Sequence, residues 1–256
     1  MWSTGDSTKH AGRSYHNPNE AITSAIVSDG VVDLSTGQVN QYSCEKGAFA
    51  FCSVLKSVRL PESLKRVGEG AFYHCRALVR VDIPSGVNEI GASAFNHCSS
   101  LQTATIPEGV VVLPDGIFGW CSSLKTVKLP SSLKTIGESA FCDCFSLATI
   151  NIEALQGVTE IGHHAFYQCA SLITFKLPPL LKTIEKATFS DCKNLVKVEL
   201  PPSLEKIEAR AFFRCCSLTT IKPDTLEGST EIGEKSFFGC SSLRSAPQLI
   251  MTRGEL

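Results

Sequence analysis

Nine phenylalanines, Phe49, Phe72, Phe95, Phe118, Phe141, Phe166, Phe189, Phe212 and Phe237, recur along the chain at intervals of 23, 23, 23, 23, 25, 23, 23 and 25 residues. Three residues after each stands a cysteine, from Cys52 to Cys240, and three further on a leucine, from Leu55 to Leu243. A short alternating stretch follows, as in Val81-Asp82-Ile83, Val127-Lys128-Leu129 and Val198-Glu199-Leu200. Alternation of this kind is strand-like and places the outer two residues inward. Pro61, Pro84, Pro107, Pro130, Pro178 and Pro201 come next; proline cannot donate to a ladder, so the strand ends there. An Ile-Gly pair or its variant then leads through a small residue to the next Phe.

A unit with about eight inward positions in 23 residues cannot bury its apolar stripe alone, whereas stacked units form a continuous core. The period therefore predicts a solenoid. Each coil gives one short strand to a parallel sheet and returns by a turn or short helix; Ile90, Ala94, Phe95 and Cys98 would share one side of such a helix. At roughly 4.8 Å between strands, nine coils span on the order of 40 Å.

The unit AFxxCxxLxxVxLPxxLxxIGxx resembles that of the BspA-like leucine-rich repeat family, over about residues 44 to 250. The resemblance implies an α/β leucine-rich-repeat solenoid of about nine repeats of 23–25 residues, curved, with the parallel β-sheet on its concave side and turns or short helices on its convex side. It also implies a role in binding proteins, sometimes at cell surfaces, and no catalytic residues.

Residues 1–20 are polar and are expected to be disordered, leaving 21–256 as a single solenoid domain with degenerate caps. At the front, the cap would comprise the stretch AIVSDGVVDL and Cys44 as a core residue; at the end, Leu249, Ile250 and Met251 would cover the last coil. Both 25-residue units carry their extra pair at the same place, EALQGVTEIG (153–162) and DTLEGSTEIG (224–233). A Gly-containing loop there replaces Pro-x-x-Leu and should bulge.

Net charge is −1, without the basic excess that draws a chain to nucleic acid or membranes. No apolar run approaches the roughly 18 residues of a membrane-spanning helix, and the first residues lack the apolar region of a secretory signal. The expectation is a cytoplasmic monomer, or a cell-surface protein if the chain is a fragment. Nine cysteines in one column read as buried, reduced thiols; stacked side chains run parallel, which is poor disulfide geometry. Cys142 and Cys216 lie outside the column and are expected to be exposed, the two candidates for reactive thiols.

His74 and His97 share a column that continues as Trp120, Asp143 and Gln168. Only Asp143 could join them as a zinc ligand, so solvated histidines are expected, with no metal or other cofactor. His163 and His164 are likewise expected at the surface. No phosphate loop, nucleophile elbow or zinc-finger spacing is present, which points to a non-enzymatic chain.

The outward strand positions remain as the binding candidates: Arg59, Arg80, Thr103, Thr105, Thr126, Lys128, Asn151, Lys176, Lys197, Glu199 and Lys222. They make a mildly basic, threonine-rich stripe on the expected concave face, suited to a protein or peptide ligand with an acidic or polar surface. Thr and Lys are also ordinary exposed strand residues, and composition alone leaves both readings open. Few aromatics line the stripe, which argues against single-stranded nucleic acid. The alternative function is a structural or adhesive cell-surface module that binds a host protein or glycan.

Overall fold

The computed structural model describes residues 2–3, 23–34, 47–222 and 230–244. Successive coils stack in parallel register, as the repeat requires. The leading strand of a coil is the alternating stretch: Ser57–Arg59, Thr103–Thr105, Thr126–Lys128, Thr149–Ile150, Thr174–Lys176, Lys197–Glu199 and Thr220–Lys222. Thr103 faces Thr126, which faces Thr149; Lys176 faces Glu199, which faces Lys222. About seven turns carry such a strand, slightly fewer than the nine repeats expected. The difference arises because the second coil keeps only a single bridge, Arg80 to Thr103, and the position in the last unit, 246–248, lies outside the described residues.

A second strand per coil is a departure from the sequence expectation. Arg66–Val67, Glu89–Ile90, Val112–Leu113, Thr135–Ile136, Glu160–Ile161, Thr183–Ile184, Lys206–Ile207 and Glu231–Ile232 form a trailing column, also parallel. The expected short helix through Ile90, Ala94, Phe95 and Cys98 is replaced by tight turns. Its failure has a local cause. Two residues before and two after each core Phe the backbone is left-handed: Gly70 and His74 around Phe72, Ser93 and His97 around Phe95, Gly116 and Trp120 around Phe118, all with φ of 53–61° where the neighbouring coil at Ser139 and Asp143 is included. A right-handed helix cannot pass through such residues.

The turns are nevertheless laddered. Backbone N–H groups of Gly70, Phe72 and His74 donate to the carbonyls of Ala92, Ala94 and Asn96 in the next coil at 2.9, 2.7 and 2.9 Å. The glycine of the Ile-Gly pair permits this approach; a Cβ at Gly91 would stand 2.3 Å from the Glu69 nitrogen.

Inside, the nine Phe side chains are buried and stack ring on ring, with centroids 5.2–5.7 Å apart and interplanar angles of 3–16°. The cysteine column is buried too. Each of its thiols from Cys75 onward donates to the carbonyl of the Phe in the preceding coil at 3.1–3.2 Å, as Cys144 Sγ does to Phe118 O. Cysteine is therefore small enough for the core and also supplies a donor there. Burial pushes the Cys52 thiol up to about 12 and raises Cys75 and Cys98 further; buried thiols of this kind are inert.

At the front, Ser24–Val27 pairs in parallel with Ser57–Arg59 and buries Ala25 and Val27, while Leu34 closes under Arg66. The stretch AIVSDGVVDL is thus a true, if irregular, coil. Trp2–Ser3 pairs antiparallel with its outer side. The rest of residues 1–20, Cys44, most of the second insertion (223–229) and Leu249, Ile250 and Met251 lie outside the described residues. The first insertion forms a 3-10 helix, Ile152–Gly157.

Candidate binding face

The leading strands show a burial pattern in which the central residue is buried and its neighbours are not. Side-chain alternation in a strand dictates this: Val127, Phe175 and Val198 enter the core, so the flanking residues must face out. Proline and a buried leucine close each strand and hold the outward residues in register from coil to coil.

The structure sorts the eleven sequence candidates into groups. Thr103, Thr105, Thr126 and Lys128 share one three-stranded sheet and are exposed. Lys176, Lys197, Glu199 and Lys222 share a second. Arg59 is exposed on the front coil. Arg80 is exposed beside Thr103, with its Nε 2.8 Å from Asp82 Oδ1.

Asn151 departs from the group. Its amide Nδ2 donates to Leu129 O at 2.9 Å and its Oδ1 accepts from Leu129 N at 2.7 Å. The 3-10 helix has taken the backbone away from the ladder, and the Asn side chain replaces the missing strand partner.

Charge is unevenly spread over this face. Lys197 donates to Glu199, and that bond, reinforced by the charges of Lys197, Lys176 and Lys222, holds the Glu199 carboxyl below the usual range against a smaller opposing effect of burial. Arg59, Lys128, Lys176 and Lys222 make no salt bridge among the described residues. Lys128, Lys176 and Lys222 recur every second coil, roughly 10 Å apart at strand spacing.

Cys142 is not the exposed thiol expected. It is half-buried and donates to Asp143 Oδ2 at 3.0 Å; burial first, then the Asp143 bond and charge, push it far up. Cys216 is exposed. His163 pairs with Glu185 at 3.3 Å. Among the described residues no group of three or more His, Cys, Asp or Glu could hold a metal, and no helix is long and apolar enough to cross a membrane.

A feature outside the eleven candidates lies on the turn side. Phe51, His74, His97 and Trp120 stack in four successive coils. Its signal in the sequence is aromatic identity at position Phe+2 over four units, begun by Phe51.

A family model described as BspA type leucine rich repeat region, in six copies, matches residues 42–169 and 159–248. The fold is similar to that of several solved bacterial proteins. A leucine-rich repeat protein of T. pallidum is 26% identical, with a TM-score of 0.48, over 91% of this chain and 87% of its own. One from Bacteroides ovatus is 24% identical with a TM-score of 0.40, over 77% of its own length and 87% of this chain. The pneumococcal vaccine antigen PcpA is 21% identical with a TM-score of 0.50, over 74% of this chain and 55% of that one. A search of the curated proteins finds no match.

Proposed function

Since the chain belongs to the BspA-type leucine-rich repeat family, whose fold suggests a protein-interaction or surface-adhesion module and is typically non-enzymatic, we propose that it binds an acidic protein or peptide segment across its outward strand face. The observation that carries this reading is the set of exposed cations without salt bridges, Arg59, Lys128, Lys176 and Lys222, held in register by a rigid parallel ladder. Such an array raises the encounter rate with an acidic partner and suppresses basic ones. The flanking threonines Thr103, Thr105 and Thr126 add hydroxyls that can donate or accept. Arg80 and Lys197 contribute less, because each already has a carboxylate neighbour.

Affinity capture with the wild-type chain and with a variant carrying Arg59→Glu, Lys128→Glu, Lys176→Glu and Lys222→Glu tests the proposal. A partner held by the wild type and lost by the folded variant supports the strand face. Equal capture by both moves the site elsewhere.

A further inference from the structure

The aromatic ladder on the turn side places two titratable rings between two that do not titrate. His74 and His97 stack with centroids 4.1 Å apart and an interplanar angle of 25°. Phe51 covers His74 at 5.2 Å and Trp120 covers His97 at 5.3 Å. Phe51 and Trp120 are 46% and 49% exposed, so the ladder lies where solvent protons reach it.

The rings are not free to drift apart. Each sits on a left-handed residue, φ 59° at both histidines, and each backbone is tied to the following coil: His74 N–H to Asn96 O at 2.9 Å, His97 N–H to Gly119 O at 2.8 Å. Separating the imidazoles therefore means loosening the turn ladder between the coils of Phe72 and Phe95.

The charged and titratable groups around the pair are few. Arg76 Nη2 lies 3.4 Å from His74 Nδ1. Tyr73 lies 4.4 Å from the His74 ring and 5.9 Å from that of His97. Asp143, two coils beyond His97, is buried and engaged by Cys142. One imidazolium is tolerated in such a stack, because a cation over an aromatic face is attracted by it. Two at this separation repel, and Arg76 adds a third positive charge.

We propose that the His74–His97 stack is an acid-sensitive fastener: it holds the second and third Phe coils together while at most one ring is protonated, and it loosens the turn side there when both are. Burial, followed by the Arg76 charge, holds His97 below its ordinary range, against a smaller opposing pull from Asp143. A base whose folded pKa is depressed contributes stability that is present above its unfolded value of roughly 6.5 and lost as pH falls through the folded value. The loosening thus belongs to mildly acidic pH.

An NMR titration of the histidines in the full chain, with amide exchange at pH 7 and pH 5, tests the idea. His74 and His97 should titrate in two coupled steps separated by more than about one pH unit. Protection of their amides should fall roughly tenfold, the equivalent of one unit of displacement, while that of Gln168, bonded to Ser190 O in the same column at 2.9 Å, stays level. His97→Phe keeps the stack and removes one charge, so the remaining His74 should titrate in one step and the protection loss should vanish. Independent single steps in the wild type overturn the proposal, and so does an equal protection loss in His97→Phe. If that variant misfolds, His74→Phe makes the reciprocal test, and the wild-type titration decides without either.

Discussion

The turn side and the strand sides of the solenoid come from the same repeat, yet they meet the first 25-residue unit differently. On the turn side nothing breaks: Phe141, Phe166 and Phe189 stack at 5.3 Å on both steps, and the Phe166 and Gln168 amides bond onward to Thr188 and Ser190. On the strand sides both columns stop. The leading sheet ends at Thr149–Ile150 and restarts at Thr174–Lys176; the trailing sheet ends at Glu160–Ile161 and restarts at Thr183–Ile184. Two features coincide with this seam, the inserted 3-10 helix and Phe175, whose ring lies 5.1 and 4.9 Å from those of Phe166 and Phe189 where other coils carry Val, Ile or Ala. Cohesion between coils thus rests on the Phe and Cys columns, and the strands are free to vary.

That contrast predicts where damage should be greatest. Phe118→Ala should cost about 3–5 kcal/mol, the usual loss for a buried Phe, measured by urea denaturation. A cost below about 1 kcal/mol would mean that the stack is not the main cohesive element. Asn151→Ala comes next. It removes both bonds to the buried Leu129 backbone, at about 1–3 kcal/mol for groups left unpaired, and should lower exchange protection of the Leu129 amide. Unchanged protection would show that the seam needs no such clip.

Much of this arrangement is legible in the residues because the period itself reports burial. Phe, Cys and Leu columns at fixed spacing leave no other face for the core, and the alternation in Thr126-Val127-Lys128 sets which side chains point out. The trailing strands are not legible: a two-residue piece such as Thr135–Ile136 shows no alternation to read. The left-handed turns are hidden as well, because His74, Trp120 and Asp143 carry no signature of positive φ, and only Gly70 and Gly116 hint at it. The role of Asn151 depends on a helix that draws the backbone off the ladder, which no local pattern announces. Cysteine reads as an apolar filler; the carbonyl it satisfies belongs to another coil.

The thiol ladder makes a smaller, sharper test of the same cohesion. Cys144→Ala deletes the donor to Phe118 O and should cost about 1 kcal/mol by the hydrogen bond, with some further loss from the space left. Under native conditions, thiol labelling among the described residues should be confined to Cys216. Rapid labelling of Cys142 would contradict its burial and its bond to Asp143.

The smallest effect belongs to the strand face. Glu199 is held by Lys197 and flanked by Lys176 and Lys222, but all are accessible to solvent, so screening limits the stabilisation to below about 1 kcal/mol. Its depressed pKa fixes the sign: the contribution is present above the unfolded value of roughly 4.3 and lost as pH falls through the lower folded value. Glu199→Gln should therefore destabilise slightly at pH 7 and not at all near pH 3, as compared by urea denaturation at both. The window is well below that of the histidine stack, so the two sides of the solenoid should respond to acid in separate steps, turn side first. At neutral pH the same variant adds one net positive charge to the second sheet, and affinity for an acidic peptide should rise if that face is the binding surface. A loss of affinity instead would make Glu199 itself a contact for a basic group.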